Sequence, residues 1–200
     1  MKFILVPILV FLLLNCGTPP QKSTTVIINS DTTTVVPDTN KEIVIEPAIP
    51  EDAVTANYMA GIPAFYGYVN NVNTVDASTL IKFENDYAPS LEIEESYGAE
   101  IMSLRFPEFD SDLLLVTSVI KDPNFNKYYL YLLKNNEWVQ VVNGWAIHKE
   151  NKPDTLQPIS VDPTNPSRMH RYYSVFDLDK ESELGYTWRL LSERISIQNR

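Results

Sequence analysis

Only two of the chain's aromatic residues, Phe3 and Phe11, precede Asn57; the other 20 of its 11 Tyr, 8 Phe and 3 Trp follow it. Large rings supply most of the apolar area that a core can bury, so residues 58–200 are the part able to fold, and they suffice for one domain. Within them the pattern is strand after strand. Apolar or alternating runs at 64–69, 80–84, 91–94, 100–106, 113–121, 128–134, 137–142, 145–148, 172–178 and 186–197 are broken by turn-rich stretches at 107–112, 122–126 and 179–185. Connections this short join antiparallel neighbours and leave no room for crossover helices. The expected fold is therefore all-β, an antiparallel meander forming a single barrel or sandwich. Residues 76–87 also offer a helix, with Asp76 or Ser78 as cap and Leu80, Phe83 and Tyr87 on one face. Ile81 and Phe83 fit strand alternation, and a strand is the reading taken.

Asn135-Asn136 between two such runs predicts a two-residue hairpin, because both central residues of the favoured turn need positive φ and Asn tolerates it well. The register follows: Lys134 opposite Glu137, Leu133 opposite Trp138, Leu132 opposite Val139 and Leu130 opposite Val141. One face then carries Tyr128, Leu130, Leu132, Val139 and Val141; the other carries Tyr129, Tyr131, Leu133, Trp138, Gln140 and Val142. A strand pair apolar on both sides is either covered twice or left with an aromatic patch. Cover would come from the C-terminal strand or from residues 149–168. If uncovered, Tyr129, Tyr131 and Trp138 are the candidate binding surface, suited to stacking on sugars or clamping an extended peptide. Leu113, Leu114, Leu115 and Val116, apolar on both faces, favour double cover. In the last strand Tyr186, Trp188 and Leu190 share one face and Leu191, Ile195 and Ile197 the other, which predicts a β-bulge near 190–192.

Chemistry-bearing motifs are sparse. Asp177, Asp179, Glu181 and Glu183 alternate like the start of a calcium loop, but no glycine holds the sixth place and Trp188 stands where the closing glutamate belongs. A solvated turn is the better reading. His148 and His170 are the only histidines, without a third ligand at any recognisable spacing, and no nucleophile elbow is present. No catalytic residue, metal ligand or cofactor is assigned. Residues 149–168, braced by Pro153, Pro158, Pro163 and Pro166, together with Asn124, Phe125 and Asn126, form the first place to look for a partner.

At the N-terminus Lys2 precedes an apolar run over residues 3–14. At about 1.5 Å per residue this run reaches only ~18 Å against a ~30 Å hydrocarbon core, and Pro7 interrupts it. It is too short for a permanent span. With Leu13-Leu14-Asn15-Cys16-Gly17 behind it, the run resembles the signal peptide and lipobox of a bacterial lipoprotein, although Asn15 stands where a small residue is usual. The resemblance implies cleavage after residue 15 and acylation, palmitate included, of the sulfur of Cys16. That is the chain's one cysteine, so no disulfide is expected. Residues 16–57, rich in Thr and Pro and free of aromatics, are expected to be a flexible linker, although 25–28 and 42–46 have strand composition. Gly17 in place of Asp resembles lipoproteins sent to the outer rather than the inner membrane. Without residues 1–15 the chain has 15 basic against 26 acidic residues, which excludes nucleic acid and anionic lipid as partners of the domain. The expected protein is thus an exported, lipid-anchored, non-catalytic binding or assembly module of the cell envelope, facing an envelope protein or glycan. The alternative is an envelope or polysaccharide hydrolase using a carboxylate pair.

Overall fold

The structure, a computed structural model, describes residues 48–197. Among them eleven strands form three antiparallel sheets, each a meander of consecutive strands. The first sheet runs β1 (Val54–Ala56), β2 (Phe65–Asn73), β3 (Ser78–Phe83) and β4 (Leu91–Glu94). The second runs β5 (Ala99–Leu104), β6 (Leu113–Val119), β7 (Phe125–Lys134) and β8 (Glu137–His148); the third places β10 (Arg168–Leu178) between β9 (Ile159–Val161) and β11 (Tyr186–Ser196). The sheets stack as a sandwich and do not close into a barrel. No helix of the described residues is long and apolar enough to cross a membrane.

The second sheet is the middle layer, because its strands are apolar on both faces. Leu113, Leu115, Tyr128, Leu130 and Leu132 pack with Ile159, Met169 and Ile197 on the side of the third sheet. Leu114, Val116 and Leu133 pack with Phe65, Ile81, Phe83 and Ile93 of the first sheet. The face bearing Tyr129, Tyr131 and Trp138 is therefore covered by the first sheet; neither the C-terminal strand nor residues 149–168 supply the cover that the sequence suggested. On β3 the strand alternation of Thr79, Ile81 and Phe83, all buried, prevails over the helical option, and only a 3-10 turn at Glu84–Asp86 follows. Three buried hydroxyls tie the first two sheets together. Ser96 Oγ donates to Gly98 O at 2.9 Å and accepts from Ser118 Oγ at 2.9 Å, so Thr79 Oγ1, 2.8 Å away, must donate to it as well.

The β7–β8 hairpin has the expected turn, with φ of 53° at Asn135 and 60° at Asn136, and pairs Lys134 with Glu137, Leu133 with Trp138 and Leu132 with Val139. Beyond that the register slips: Leu130 faces Val142, not Val141, and Tyr128 faces Trp145. Each slip is an extra residue on β8, and the first brings both Val141 and Val142 into the core shared with the third sheet. The slips also make β8 one continuous strand where two were expected. The bulge foreseen in the last strand is absent, since β10 and β11 pair without interruption from Arg168–Ser196 to Leu178–Tyr186. Leu190 of one set and Ile195 and Ile197 of the other reach the same core without a bulge, and the rest of the two sets need no burial there: Tyr186 is exposed and Trp188 and Leu191 are only half-buried.

Two strands were not anticipated. β1 lies before Tyr58, inside the segment expected to be linker; it pairs with β2 and buries Ala56. β9 lies within the proline-braced stretch, where Pro158 and Pro163 bound a short edge strand whose Ile159 is fully buried. Residues 1–47, and with them the signal-peptide, Cys16 and most of the linker expectations, lie outside the described residues.

Candidate functional site

Tyr129, Tyr131 and Trp138 share a face but not a fate. Trp138 packs on the first sheet, stacked on Phe83 at 4.8 Å and edge-on to Tyr58 at 5.7 Å, and its indole N–H donates to Pro89 O at 2.8 Å. Its polar tip and its ring are thus engaged within the sandwich, although the residue is only half-buried. Tyr129 and Tyr131, stacked at 6.2 Å, instead line a shallow groove along the edge strand β4 with Glu92, Glu94, Glu95 and Lys127. Burial, reinforced by Tyr129, pushes the Tyr131 hydroxyl up to about 12. Lys127 reaches Glu95 Oε2 at 3.4 Å and lies 5.3 Å from the Tyr129 ring centroid, so this groove holds its own cation. Tyr129, ahead of Glu95, keeps the Lys127 ammonium above its ordinary value against the opposing effect of burial.

A larger groove, about 550 Å³, opens at the far end of the β10–β11 hairpin. Four separate stretches build it: Asp122, Asn124 and Phe125 at the start of β7; His148 and Glu150 at the end of β8; Ser182, Glu183 and Leu184 in the hairpin turn; and Tyr186, Thr187 and Trp188 of β11. Local chemistry fixes each wall. Asp122 Oδ1 accepts the Asn124 N–H at 3.0 Å, and Asn124 O accepts the Lys149 N–H at 2.7 Å, joining the β6–β7 connection to the 3-10 turn Lys149–Asn151. In the hairpin turn Asp179 Oδ1 accepts the Glu181 N–H at 3.0 Å and Ser182 Oγ donates to Tyr186 O at 2.8 Å. Gly185, at φ 72°, supplies the left-handed residue that returns the chain to β11. The Asp177–Glu183 cluster thus serves as a turn, with Asp177 paired to Arg189 at 3.2 Å.

The groove floor is aromatic. The imidazole of His148 is parallel to Trp188, 13° apart with centroids at 5.8 Å, and edge-on to Phe125 at 4.9 Å. Phe125 and Phe176 meet Trp188 edge-on at 4.8 and 5.7 Å, and Tyr186 stacks on Phe176 at 5.1 Å. Serine 174 holds the strand end in place, its Oγ accepting the His148 backbone N–H at 2.8 Å. The His148 side chain is 7% exposed, and its Nδ1 has no hydrogen-bond partner; Glu150 Oε2 stands off at 3.9 Å. Beyond the floor the hairpin end carries apolar residues into solvent, with Phe176 55%, Leu184 72% and Leu178 78% exposed.

Of the stretches singled out for a partner, Asn124 and Phe125 line this groove, and Glu150 is the one contribution from residues 149–168. The role of Trp188, Tyr186 and His148 as a shared floor was missed. Their pairing rests on β11 lying across the ends of β7 and β8, a contact between strands far apart in sequence that no local pattern announces. Among the described residues no three His, Asp or Glu side chains are grouped to hold a metal ion. No protein-family model matches the chain, and neither a curated protein nor a solved structure matches it.

Proposed function

We propose that the chain is a lipid-anchored, exported binding or assembly module of the bacterial cell envelope, held by Cys16 in the outer membrane in preference to the inner one. The anchor rests on the lipobox resemblance at residues 13–17. The binding role rests on one observation: four separate stretches converge on an open groove that combines a ring-lined floor, three carboxylates at the rim and a buried histidine nitrogen without a partner. Convergence of this kind, with a few polar groups placed over an apolar floor, is the usual build of a recognition site. A tethered domain can use such a groove without any membrane-binding surface of its own, since multiple acyl chains suffice for stable attachment.

The anchor and the groove are tested separately. Mass spectrometry of protein purified from its native membrane should find an amino terminus at Cys16 carrying acyl chains, and Cys16→Ser should leave the protein unacylated and released from the outer-membrane fraction. Crosslinking in the intact envelope should capture a partner that is lost with Trp188→Ala and retained with Tyr129→Ala. An unprocessed N-terminus would overturn the anchor; capture unaffected by Trp188→Ala would overturn the groove.

A further inference from the structure

A sheet edge offers main-chain hydrogen bonds to any strand laid beside it, and folds usually blunt their edges by shortness, bulges or cover. Each of the three open sheets has two edges, and all but one are blunted among the described residues. β1 and β9 have three residues, β4 four and β5 six. β8 is long, but two bulges interrupt it; its His148 N–H donates to Ser174 Oγ, and its Asn143 O accepts from the Arg171 guanidinium. β11 is the exception. It has eleven residues without Pro, Gly, Lys or a bulge, in unbroken register with β10.

The hairpin turn fixes which main-chain groups of β11 point outward. Asp179 N–H donates to Gly185 O at 3.1 Å, so the carbonyl of Gly185 turns toward β10. In an antiparallel ladder the N–H and C=O of a residue point the same way, and the direction alternates along the strand. The odd-numbered residues from Thr187 to Ile195 therefore bond β10, and Leu190, Ser192 and Arg194 turn their groups to the open side. The other strand agrees: Tyr172 N–H donates to Pro158 O at 3.0 Å, which turns the even residues of β10 to β9 and the odd ones to β11. Among the described residues nothing pairs with the main chain of Leu190, Ser192 or Arg194 on the open side.

We infer that β11 pairs antiparallel with β11 of a second copy of the chain, about a two-fold axis at Leu191, joining the two third sheets into one. Charge picks out the occupant and the register. With Leu191 opposite its own counterpart, Arg189 of each copy stands opposite Glu193 of the other, twice by symmetry. A centre at Leu190 would set Arg189 against Leu191 and Glu193 against Thr187; a centre at Ser192 would set them against Ile195 and Leu191. Odd residues meet across this axis as non-hydrogen-bonded pairs, with Cα atoms about 4.5 Å apart and side chains at their closest. Arg189 and Glu193 keep 60% and 36% of their side chains in solvent, and each has a partner within its own sheet, Asp177 and Arg171. Pairing extends these into a row of alternating charge, Asp177, Arg189, then Glu193 and Arg171 of the second copy. A guanidinium has five donors and a carboxylate several acceptor sites, so no existing bond is given up. At the axis the half-buried Leu191, beside Tyr173 of β10, meets its copy and covers apolar area that one chain leaves partly in water. Neither the lipid anchor nor the groove at the hairpin end enters this argument.

The test is sedimentation of the full chain, isolated from its native envelope in detergent matched to the solvent density. Two chains should sediment together, separating on dilution. Ser192→Pro removes an outward N–H and no bond to β10, so the variant should fold while its pairing weakens about tenfold. Arg189→Glu and Glu193→Lys, each of which sets like charges across the axis, should each weaken pairing about tenfold. An equimolar mixture of these two should pair like wild type, because the mixed dimer opposes unlike charges at both positions. Urea melts check that each variant is folded. Leu191→Cys should form a disulfide with its own counterpart on oxidation, whereas Val75→Cys, 91% exposed between β2 and β3, should not.

A single chain at every concentration, with Leu191→Cys unlinked, would overturn the inference. So would a dimer indifferent to Ser192→Pro, which would place the contact on another face. Weakening by both charge variants without recovery in the mixture would overturn the register and the second copy as the occupant it selects.

Discussion

The molecule holds two aromatic clusters of similar ring geometry and different cover. Tyr58, Phe65, Phe83 and Trp138 meet at centroid distances from 4.8 to 6.2 Å between the first and second sheets. Phe125, His148, Phe176, Tyr186 and Trp188 meet at 4.8 to 5.8 Å at the end of the β10–β11 hairpin. The first has a sheet on each side, and Tyr58 and Phe65 are wholly buried. The second joins Phe125 and His148 of the second sheet to Phe176, Tyr186 and Trp188 of the third, and opens on a groove rimmed by carboxylates. Ring density therefore does not mark a site in this fold; the place where the covering layer ends does.

The comparison is tested most severely by truncating a ring in each cluster. Trp138→Ala should cost about 3–5 kcal/mol in denaturant unfolding, because it opens a cavity between two layers and removes the bond to Pro89 O. Both Trp138 and Trp188 are half-buried, but Trp188 stands at the rim of an open groove while Trp138 packs between two sheets, so Trp188→Ala should cost less than half of that. Equal costs would mean that the hairpin end is as much core as the inter-sheet cluster.

Next in size is the clamp that keeps the first sheet over the second. Ser96→Ala removes the shared partner of the Thr79 and Ser118 hydroxyls, both fully buried, and should cost about 2–4 kcal/mol. Nothing at the open cluster depends on this clamp, so the Trp188 indole resonance should hold its position in the variant while resonances of Trp138 move.

Much of this architecture was legible in the chain, and the reason is local. Alternation located most of the strands, and Asn135-Asn136 set the turn and the first three pairs of its register. The double-faced Leu113–Val116 run foretold a middle layer. What escaped depends on cooperation between distant residues. β1 and β9 are three-residue edges whose pairing is decided by the strand beside them, and the β8 slips let Val141 and Val142 share one core, which alternation alone forbids. The candidate surface at Tyr129, Tyr131 and Trp138 was drawn from one hairpin alone, before the sheet over it could be placed. The acidic groove needs β11 laid across the ends of β7 and β8, and no spacing within any one segment encodes that.

A third measurement probes the end of the third sheet opposite the open cluster. Asp162, buried in the β9–β10 turn, accepts from the Thr164 hydroxyl at 2.7 Å and its amide at 2.9 Å, and faces Arg194 of β11 at 3.2 Å. The Thr164 hydroxyl and amide, with smaller help from Arg194 and the Asn165 amide, hold its carboxyl below the usual range despite burial. A carboxyl whose folded pKa is lowered adds stability that is complete above the ordinary value of about 4 and disappears as pH falls through the lower folded value. Wild type should therefore lose stability on acidification below about pH 4 more steeply than Asp162→Asn does. Parallel acid limbs in urea melts of the two proteins would show that Asp162 does not fasten this turn.

The smallest effect is the most pointed. Phe176 and Leu178 stand 55% and 78% exposed on the part of the β10–β11 hairpin that runs beyond β9. If the open cluster ends where the cover ends, these side chains contribute area to solvent and almost nothing to the core. Phe176→Ser with Leu178→Ser should then change unfolding free energy by no more than about 0.5 kcal/mol, even though the same exchange inside the sandwich would unfold the protein. Phe176 also lies directly across from Trp188 and stacks on Tyr186 on the same face of the hairpin. The double variant should consequently disturb the groove floor and weaken partner capture while leaving the melt unchanged, separating recognition from stability at one pair of positions. A melt lowered by several kcal/mol would mean instead that the hairpin end is packed, and the contrast between the two clusters would collapse.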